Sequence, residues 1–456
     1  MMFQEGDTIA AIATAPGEGA VSIVRISGPR ALLIADEVFR CKSPRPSERS
    51  GGTFVFGRVV DESGSMLDEA LLLIMRAPHS YTREDTVEIQ GHGGTVNARR
   101  ILERVIDAGA RVAGPGEFTR RAFLNGRLDL VQAEAVADII RAKTERAALA
   151  AVQQLEGRLS MTLHEVYEQL LYCSAQVEAA LDFADQELPK DILYPIHNQL
   201  FISISKMRSL LETWREGRIL RDGATVVIAG KPNVGKSTLL NALVGAERAI
   251  VSPHPGTTRD TIRETVILEG YPVTFVDTAG IRPTSCEIEL EGIRRAEDER
   301  AAADLCLYVI DASLGMDDDD RAAIESIPES KRIVVWNKID RVPIPPVDRY
   351  SGSSVHVSAR TGAGLDRLKT VLVERLVGGM VELAPHSVIS TRHRQLLQVA
   401  VERSETALQE MNRSEPALDL AATNLREATE SLGAITGRVY YDDLLDSIFS
   451  RFCIGK

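Results

Sequence analysis

The eight residues Gly230-Lys231-Pro232-Asn233-Val234-Gly235-Lys236-Ser237 constrain this chain more than any other stretch. They follow an apolar run at 225–229 and precede a helical pattern at 238–244. A strand, a turn with two glycines and a helix opening on Lys-Ser form a loop whose backbone N–H groups can approach phosphate closely. In such a loop Lys236 reaches the β- and γ-phosphates, and the Ser237 hydroxyl binds Mg²⁺. The motif predicts an α/β domain around it. Short, strongly apolar runs at 225–229, 273–276, 305–310, 332–336 and 355–357 alternate with helical stretches, as buried strands of a mostly parallel sheet do.

Three further segments follow in order. Asp277-Thr278-Ala279-Gly280 ends a strand; its Asp can hold Mg²⁺ through water, and its Gly lets the backbone meet the γ-phosphate. Asn337-Lys338-Ile339-Asp340 ends another; the Asp340 carboxylate can accept two N–H bonds from a guanine edge, which adenine cannot offer. Ser358-Ala359-Arg360 supports the base. Between the first loop and Asp277 lies Gly256-Thr257-Thr258-Arg259-Asp260, where a switch segment belongs, and Thr258 is the expected second Mg²⁺ ligand. Together these motifs predict GTP binding and hydrolysis. The residue after Gly280 is Ile281, which cannot orient water as a glutamine there does. Any carboxylate of Glu287, Glu289 and Glu291 can act on water instead, and a monovalent cation beside Asn233 can supply positive charge.

Flanking this insert, the apolar period becomes helical. Leu155, Leu159, Leu163, Val166, Leu170, Cys173, Val177 and Leu181 form one stripe; Leu200, Ile204, Met207, Leu211 and Trp214 form a second. Beyond the insert the period returns with Leu397, Val401, Leu408 and Met411, then Leu418, Ala422, Leu425 and Leu432. This predicts one helical domain built from two segments, 121–222 and 379–456, interrupted by an α/β domain at 223–378. Residues 1–120 mix strands at 21–26, 70–75 and 87–90 with a helix at 95–108, and 43–52 reads as a loop.

The length of 456 residues suits about three domains, and the formal charge of −12 argues against broad wrapping of nucleic acid. An RNA partner would need a local patch, such as Arg120, Arg121 and Arg127, or Arg141, Lys143 and Arg146. No run approaches the ~20 apolar residues of a membrane span. The first twenty residues lack a basic n-region, and the five cysteines form no Cys-x-x-Cys pair. A cytoplasmic protein with reduced thiols and no zinc is expected.

These motifs, with both ends of the chain, closely resemble the MnmE (TrmE) family of tRNA-modification GTPases. The likeness rests on Asp7-Thr8-Ile9-Ala10-Ala11, Val24-Arg25-Ile26-Ser27-Gly28, Gly91-His92-Gly93-Gly94, Pro115-Gly116-Glu117-Phe118, Arg121-Ala122-Phe123-Leu124-Asn125 and the terminal Phe452-Cys453-Ile454-Gly455-Lys456. It implies a multidomain fold: a Ras-like P-loop GTPase domain inserted in a helical domain, after an α+β folate-binding and dimerisation domain. It also implies a homodimer, and a complex with the FAD-dependent partner MnmG acting on tRNA. That complex adds aminomethyl or carboxymethylaminomethyl groups at carbon 5 of wobble uridine.

By position, the resemblance implies that Asn233, Ser252, His254 and Thr257 hold K⁺, and that dimerisation of the K⁺-bound G domains drives hydrolysis. It places GTP against 233–238, Ser252, Pro253, His254, Pro255, Gly256, Thr257, Thr258, Asp277–Gly280, Asn337, Lys338, Asp340 and Ser358–Arg360. Glu289 falls where the family keeps its catalytic glutamate, and Cys453 where it keeps a cysteine needed for modification. Arg25, Glu88, Arg127 and Lys456 match positions lining a site for a tetrahydrofolate derivative, in the 5-formyl or 5,10-methylene form. A ribosome-assembly GTPase would instead predict a second G domain or a basic RNA-binding module, and the sequence holds one phosphate loop. A GTP-controlled scaffold that has lost its folate ligand is the other alternative.

Overall fold

The computed structural model describes residues 6–182, 193–245, 263–277, 303–343, 354–379 and 389–456. The chain divides into two units: residues 1–137 with 432–456, and residues 138–431.

The first unit opens with β1 (Ile9–Ile12), β2 (Val21–Ser27), α1 (Ala31–Val38), β3 (Phe39–Cys41), β4 (Thr53–Val60), β5 (Met66–Met75), β6 (Thr86–His92), α2 (Thr95–Asp107), β7 (Arg111–Val112) and α3 (Glu117–Leu124). Its seven strands run in the order β3-β4-β5-β6-β2-β1-β7, antiparallel except for β1 with β7. Period-two alternation decides which face is buried. Along β5, Ala70, Leu72 and Ile74 are buried with Val24, Ile26, Val87 and Ile89, and α1 and α2 add Ile34, Val38, Ile101 and Val105 to this core. Each fully buried Ile, Leu or Val side chain contributes roughly 1.5–3 kcal/mol relative to exposure. On the other face Phe54 and Phe56 are 72% and 63% exposed, opposite Leu73 and Leu71.

The C-terminal segment belongs to this unit. Arg120 on α3 donates to Asp446 at 2.6 Å and Asp442 at 3.2 Å, both on the helix Asp442–Phe449. Gly437 (φ 83) lies so close to Phe123 and Leu130 that a Cβ there would fall within 2.6 Å of ring carbon. Residues of the tail, 432–456, are thus held by the N-terminal residues through a close approach and ion pairs between positions over 300 apart.

The second unit contains α5 (Glu145–Leu155), α6 (Arg158–Asp182), α7 (Leu193–Glu212) and α8 (Trp214–Asp222), then an α/β domain, then α12 (Thr391–Met411); α4 (Leu130–Arg141) precedes these helices and α13 (Leu418–Thr436) follows them. Helix α7 packs on α6 and α12. It buries Ile196, Leu200, Ile204, Met207 and Leu210, the three-four spacing of an amphipathic helix. The expected stripe continues to Leu211 but not to Trp214. Helix α7 ends at Glu212, and Trp214 opens α8 with its indole under the Arg394 guanidinium at 3.9 Å.

Within the α/β domain lie β8 (Ala224–Ala229), α9 (Lys236–Gly245), β9 (Arg263–Leu268), β10 (Tyr271–Asp277), β11 (Leu305–Asp311), α10 (Asp318–Glu325), β12 (Arg332–Asn337), β13 (Ser354–His356) and α11 (Leu365–Val377). The strand order is β13-β12-β11-β8-β10-β9, with only β9 antiparallel to its neighbour. Apolar clusters cover both faces of the sheet, so β11 is buried at every position. The C-terminal ends of β8, β10, β11, β12 and β13 all open on one edge, where ligands bind in open α/β sheets. No helix among the described residues is long and apolar enough to cross a membrane.

Candidate functional site

Strand β8 delivers Gly230 to that edge. Gly230 has φ 135, and a Cβ there would lie 2.3 Å from the Val309 carbonyl, so only glycine lets the loop turn over β11. Asn233 takes the left-handed conformation at φ 61, and Gly235 at φ 97 leaves room for the Asn337 amide. Such backbone in a non-glycine residue costs of order 1–3 kcal/mol and is kept where surrounding contacts hold it. Helix α9 then begins with Lys236, whose Nζ donates to the Gly230 and Lys231 carbonyls at 2.7 Å each. Its ammonium therefore lies across the mouth of the loop. Ser237 and Thr238 are exposed in the first turn of α9.

The residues expected to read the base reach this loop directly. Asn337, buried at the end of β12, donates from Nδ2 to the Val234 carbonyl at 2.9 Å and accepts the Ala359 N–H at 3.0 Å. Lys338, also left-handed at φ 63, donates from Nζ to the Asn233 carbonyl at 2.6 Å. Buried Ser358 donates to Asp340 Oδ1 at 2.6 Å, and this bond holds the Asp340 carboxyl below its ordinary range. Asp340 is thereby oriented and ionised, as a double acceptor for guanine must be. Arg360 is exposed beside it. Asp277 ends β10 opposite Ile228, two residues before the phosphate loop.

The expected residues Ser252, Pro253, His254, Pro255, Gly256, Thr257, Thr258, Thr278, Ala279, Gly280 and Glu289 lie outside the described residues.

Two contacts were missed from sequence. Asp311, at the end of β11, accepts from Lys338 Nζ at 2.6 Å; burial opposes its ionisation, but this bond and those from Ser313 keep its carboxyl lowered. Lys231 pairs with Asp317 and, at 3.4 Å, with Asp320. Bonded to Lys231, Asp317 falls to about 2. A strand ending in Asp beside the strand that ends in Asn337-Lys338 was the available signal for Asp311.

A second cluster lies in the first unit, where all four residues expected there converge. Arg25 on β2 donates from Nε to Glu88 Oε1 on β6 at 2.8 Å, the two facing each other in strand register. Arg127 donates to the Tyr81 carbonyl at 3.2 Å. Lys456 arrives because the tail docks on the opposite end of the chain. Pro115 bridges Ile454, Gly116 N–H reaches the Cys453 carbonyl at 3.4 Å, and Gly455 (φ 96) approaches the Ile12 carbonyl so closely that a Cβ would fall 2.3 Å from it. Arg25 Nη1 donates to the Gly455 carbonyl at 3.5 Å. Burial, then the Arg25 charge, lowers the Lys456 pKa, while Glu88 acts the other way. Three cations thus surround one carboxylate, an electrostatic setting that favours an anion. Tyr81, not singled out from sequence, and Phe118 of the Pro-Gly-Glu-Phe segment supply the aromatic wall: the Arg25 guanidinium lies 5.4 and 5.6 Å from their ring centroids. Cys453 is exposed as a free thiol beside this cluster in sequence.

Buried Glu117 explains the Pro-Gly-Glu-Phe segment. It accepts from Arg111 at 2.6 Å, Arg121 at 3.1 Å and the Gly114 N–H at 2.8 Å. Burial raises its pKa, but these donors outweigh burial and lower it. Several arginines considered as an RNA patch are engaged in this way. Arg120 pairs with Asp446 and Asp442, Arg121 with Asp7, Glu84 and Glu117, and Arg146 with Glu216 at 2.8 Å and the Tyr271 ring at 4.6 Å. Arg141 and Lys143 are exposed.

Residues 8–127 match the family model described as GTP-binding protein TrmE N-terminus, and residues 130–453 match the MnmE helical domain model. A Moorella thermoacetica protein named tRNA modification GTPase MnmE is 45% identical over 464 residues, covering 99% of each chain. A Symbiobacterium thermophilum protein of the same name is 46% identical over 460 residues, again covering 99% of both. A P-loop joined to a guanine-type Asn-Lys-x-Asp motif, with this identity along the full length, places the chain in the MnmE family, and it is a GTP hydrolase.

Proposed function

We propose that this GTPase modifies tRNA in the cytoplasm, working as a homodimer with an FAD-dependent MnmG partner to add aminomethyl or carboxymethylaminomethyl groups at carbon 5 of wobble uridine. The observation that carries the nucleotide half is the direct link between base site and phosphate loop: Asn337 and Lys338 each bond a carbonyl of that loop, Val234 and Asn233. Guanine recognition at Asp340 and the conformation of the loop therefore form one unit. In this reading Lys236 leaves its two carbonyls to meet the β- and γ-phosphates, and Gly235 and Val234 present their N–H groups to them.

The donor set fits the implied ions. Ser237 and Thr258 would be hard hydroxyl ligands for Mg²⁺, with Asp277 at the end of β10 opposite Ile228; Mg²⁺ would supply charge neutralisation at the phosphates. Asn233, exposed and left-handed, offers a side-chain carbonyl for K⁺, with Ser252, His254 and Thr257 completing the set. K⁺ supplies the positive charge that an arginine supplies elsewhere. Glu289 orients or deprotonates the attacking water. The uncompensated positive charge around Lys456 supports a folate derivative in the first unit. Arg25, Arg127 and Lys456 would face its anionic groups, and Glu88 its pterin N–H donors. The exposed Phe54, Phe56 and Leu71 surface supports a second copy of the chain as its cover. Cys453 takes part in the modification step.

Two measurements test the proposal. Mass spectrometry of tRNA from cells lacking the protein should show wobble uridines without the carbon-5 substituent, and unchanged modification would remove the tRNA half. GTP turnover should be much faster in KCl than in NaCl, and equal rates would remove the cation.

A further inference from the structure

Resting on the folate reading above, we propose that Tyr81 is a positioning residue that holds Arg25 and Arg127 as one anion-receiving pair. Its ring lies 5.4 Å from the Arg25 guanidinium and 4.7 Å from that of Arg127. Its backbone carbonyl accepts from Arg127 Nη1 at 3.2 Å, and its hydroxyl bonds Thr119 Oγ1 on α3 at 2.9 Å, which anchors the far end of the ring. Arg25 has a second support in Glu88 and Phe118. Arg127 is exposed, and among the described residues both contacts of its guanidinium are with Tyr81, since its only other bond runs from its backbone N–H to the Ala122 carbonyl.

Physical necessity follows from the charges. Arg25, Arg127 and Lys456 repel one another, and Glu88 neutralises one of them. Without a support, a long exposed side chain such as Arg127 would swing into water and pay its ordering entropy only when ligand arrives. The negative face of an aromatic ring attracts guanidinium without consuming its hydrogen-bond donors. Tyr81 therefore orders both arginines and leaves their N–H forks available to a planar anionic ligand. A carboxylate in its place would neutralise the pocket.

The test is calorimetric titration of the full-length chain with 5-formyltetrahydrofolate. Tyr81→Phe, which keeps the ring, should bind within a few-fold of the parent. Tyr81→Leu should raise Kd about tenfold or more. Arg127→Met should cost much less when combined with Tyr81→Leu than in the parent, because the tyrosine that orders the arginine is already gone. A melting curve checks that the leucine variant folds; Tyr81→Met, similar in bulk but without a π face, replaces it if it does not. Parent-like binding by the leucine or methionine variant, or strictly additive costs, would overturn the positioning role while leaving the folate reading intact. A parent chain that does not bind the folate at all overturns both.

Discussion

The nucleotide site and the proposed folate site of this molecule are built in opposite ways. The nucleotide site is assembled from short runs at the ends of adjacent parallel strands, and most of its contacts are made by or to backbone atoms. The first-unit cluster takes single side chains from positions 25, 81, 88, 118, 127 and 456, brought together by sheet register and by a tail that returns to β1. A site made of contiguous backbone is specified by its own few residues. A site made of scattered side chains depends on the fold around it, and so it should be the one more sensitive to distant substitution.

The sharpest attempt to break that contrast is Asp340→Asn. It should lower GTP affinity by up to about 10⁴-fold, because a site built for two N–H donors is left mismatched, and it should improve binding of xanthosine triphosphate. Nucleotide titration checks this, and unchanged GTP affinity would mean the base is read elsewhere.

Next in size is Glu117→Gln, which touches neither ligand. It strips a buried acceptor from Arg111 and Arg121 and should cost about 3–5 kcal/mol in stability of the first unit. Because the folded pKa of Glu117 lies below its ordinary 4.5, the stability it contributes is complete above that pH and is lost as pH falls through the lowered folded value. The glutamine variant should therefore show a flatter acid limb in thermal melts, together with weaker folate binding, since the neighbouring Gly116 docks the tail. Parent-like acid sensitivity would show that the network is energetically idle.

The smallest effect expected is for Asp311→Asn. Loss of the charge that holds Lys338 should speed GDP dissociation about tenfold, with kcat at saturating GTP changed far less. Stopped-flow release measures it. An equal loss in kcat would move Asp311 from positioning Lys338 to the chemical step.

Much of the fold was legible before the coordinates. Five of the six described strands of the α/β domain lie within a residue or two of the apolar runs, because buried parallel strands read as continuous hydrophobic sequence; the antiparallel edge strand β9 escaped because it opens on exposed Arg263 and Glu264. The helix expected at 95–108 spans Thr95–Asp107. Strand β4 escaped notice because its Phe54 and Phe56 point outward, against the usual apolar-in alternation. The break between α7 and α8 escaped because the apolar period runs through it, and Trp214 satisfies that period while stacking under Arg394.

By itself the sequence determined the phosphate loop, the guanine motif and the helical periodicity. These are local: the chemistry needs given residue types at fixed offsets along a strand-turn-helix, and offsets survive in one dimension. Only the tertiary structure decided that Asp311 steadies Lys338, that Glu117 and Arg120 are spent on internal ion pairs, that Tyr81 carries two arginines, and that residues 432–456 return to the first unit. Those outcomes depend on which strands lie side by side and on whether a Cβ fits between two backbones, and neither is encoded at any single spacing along the chain.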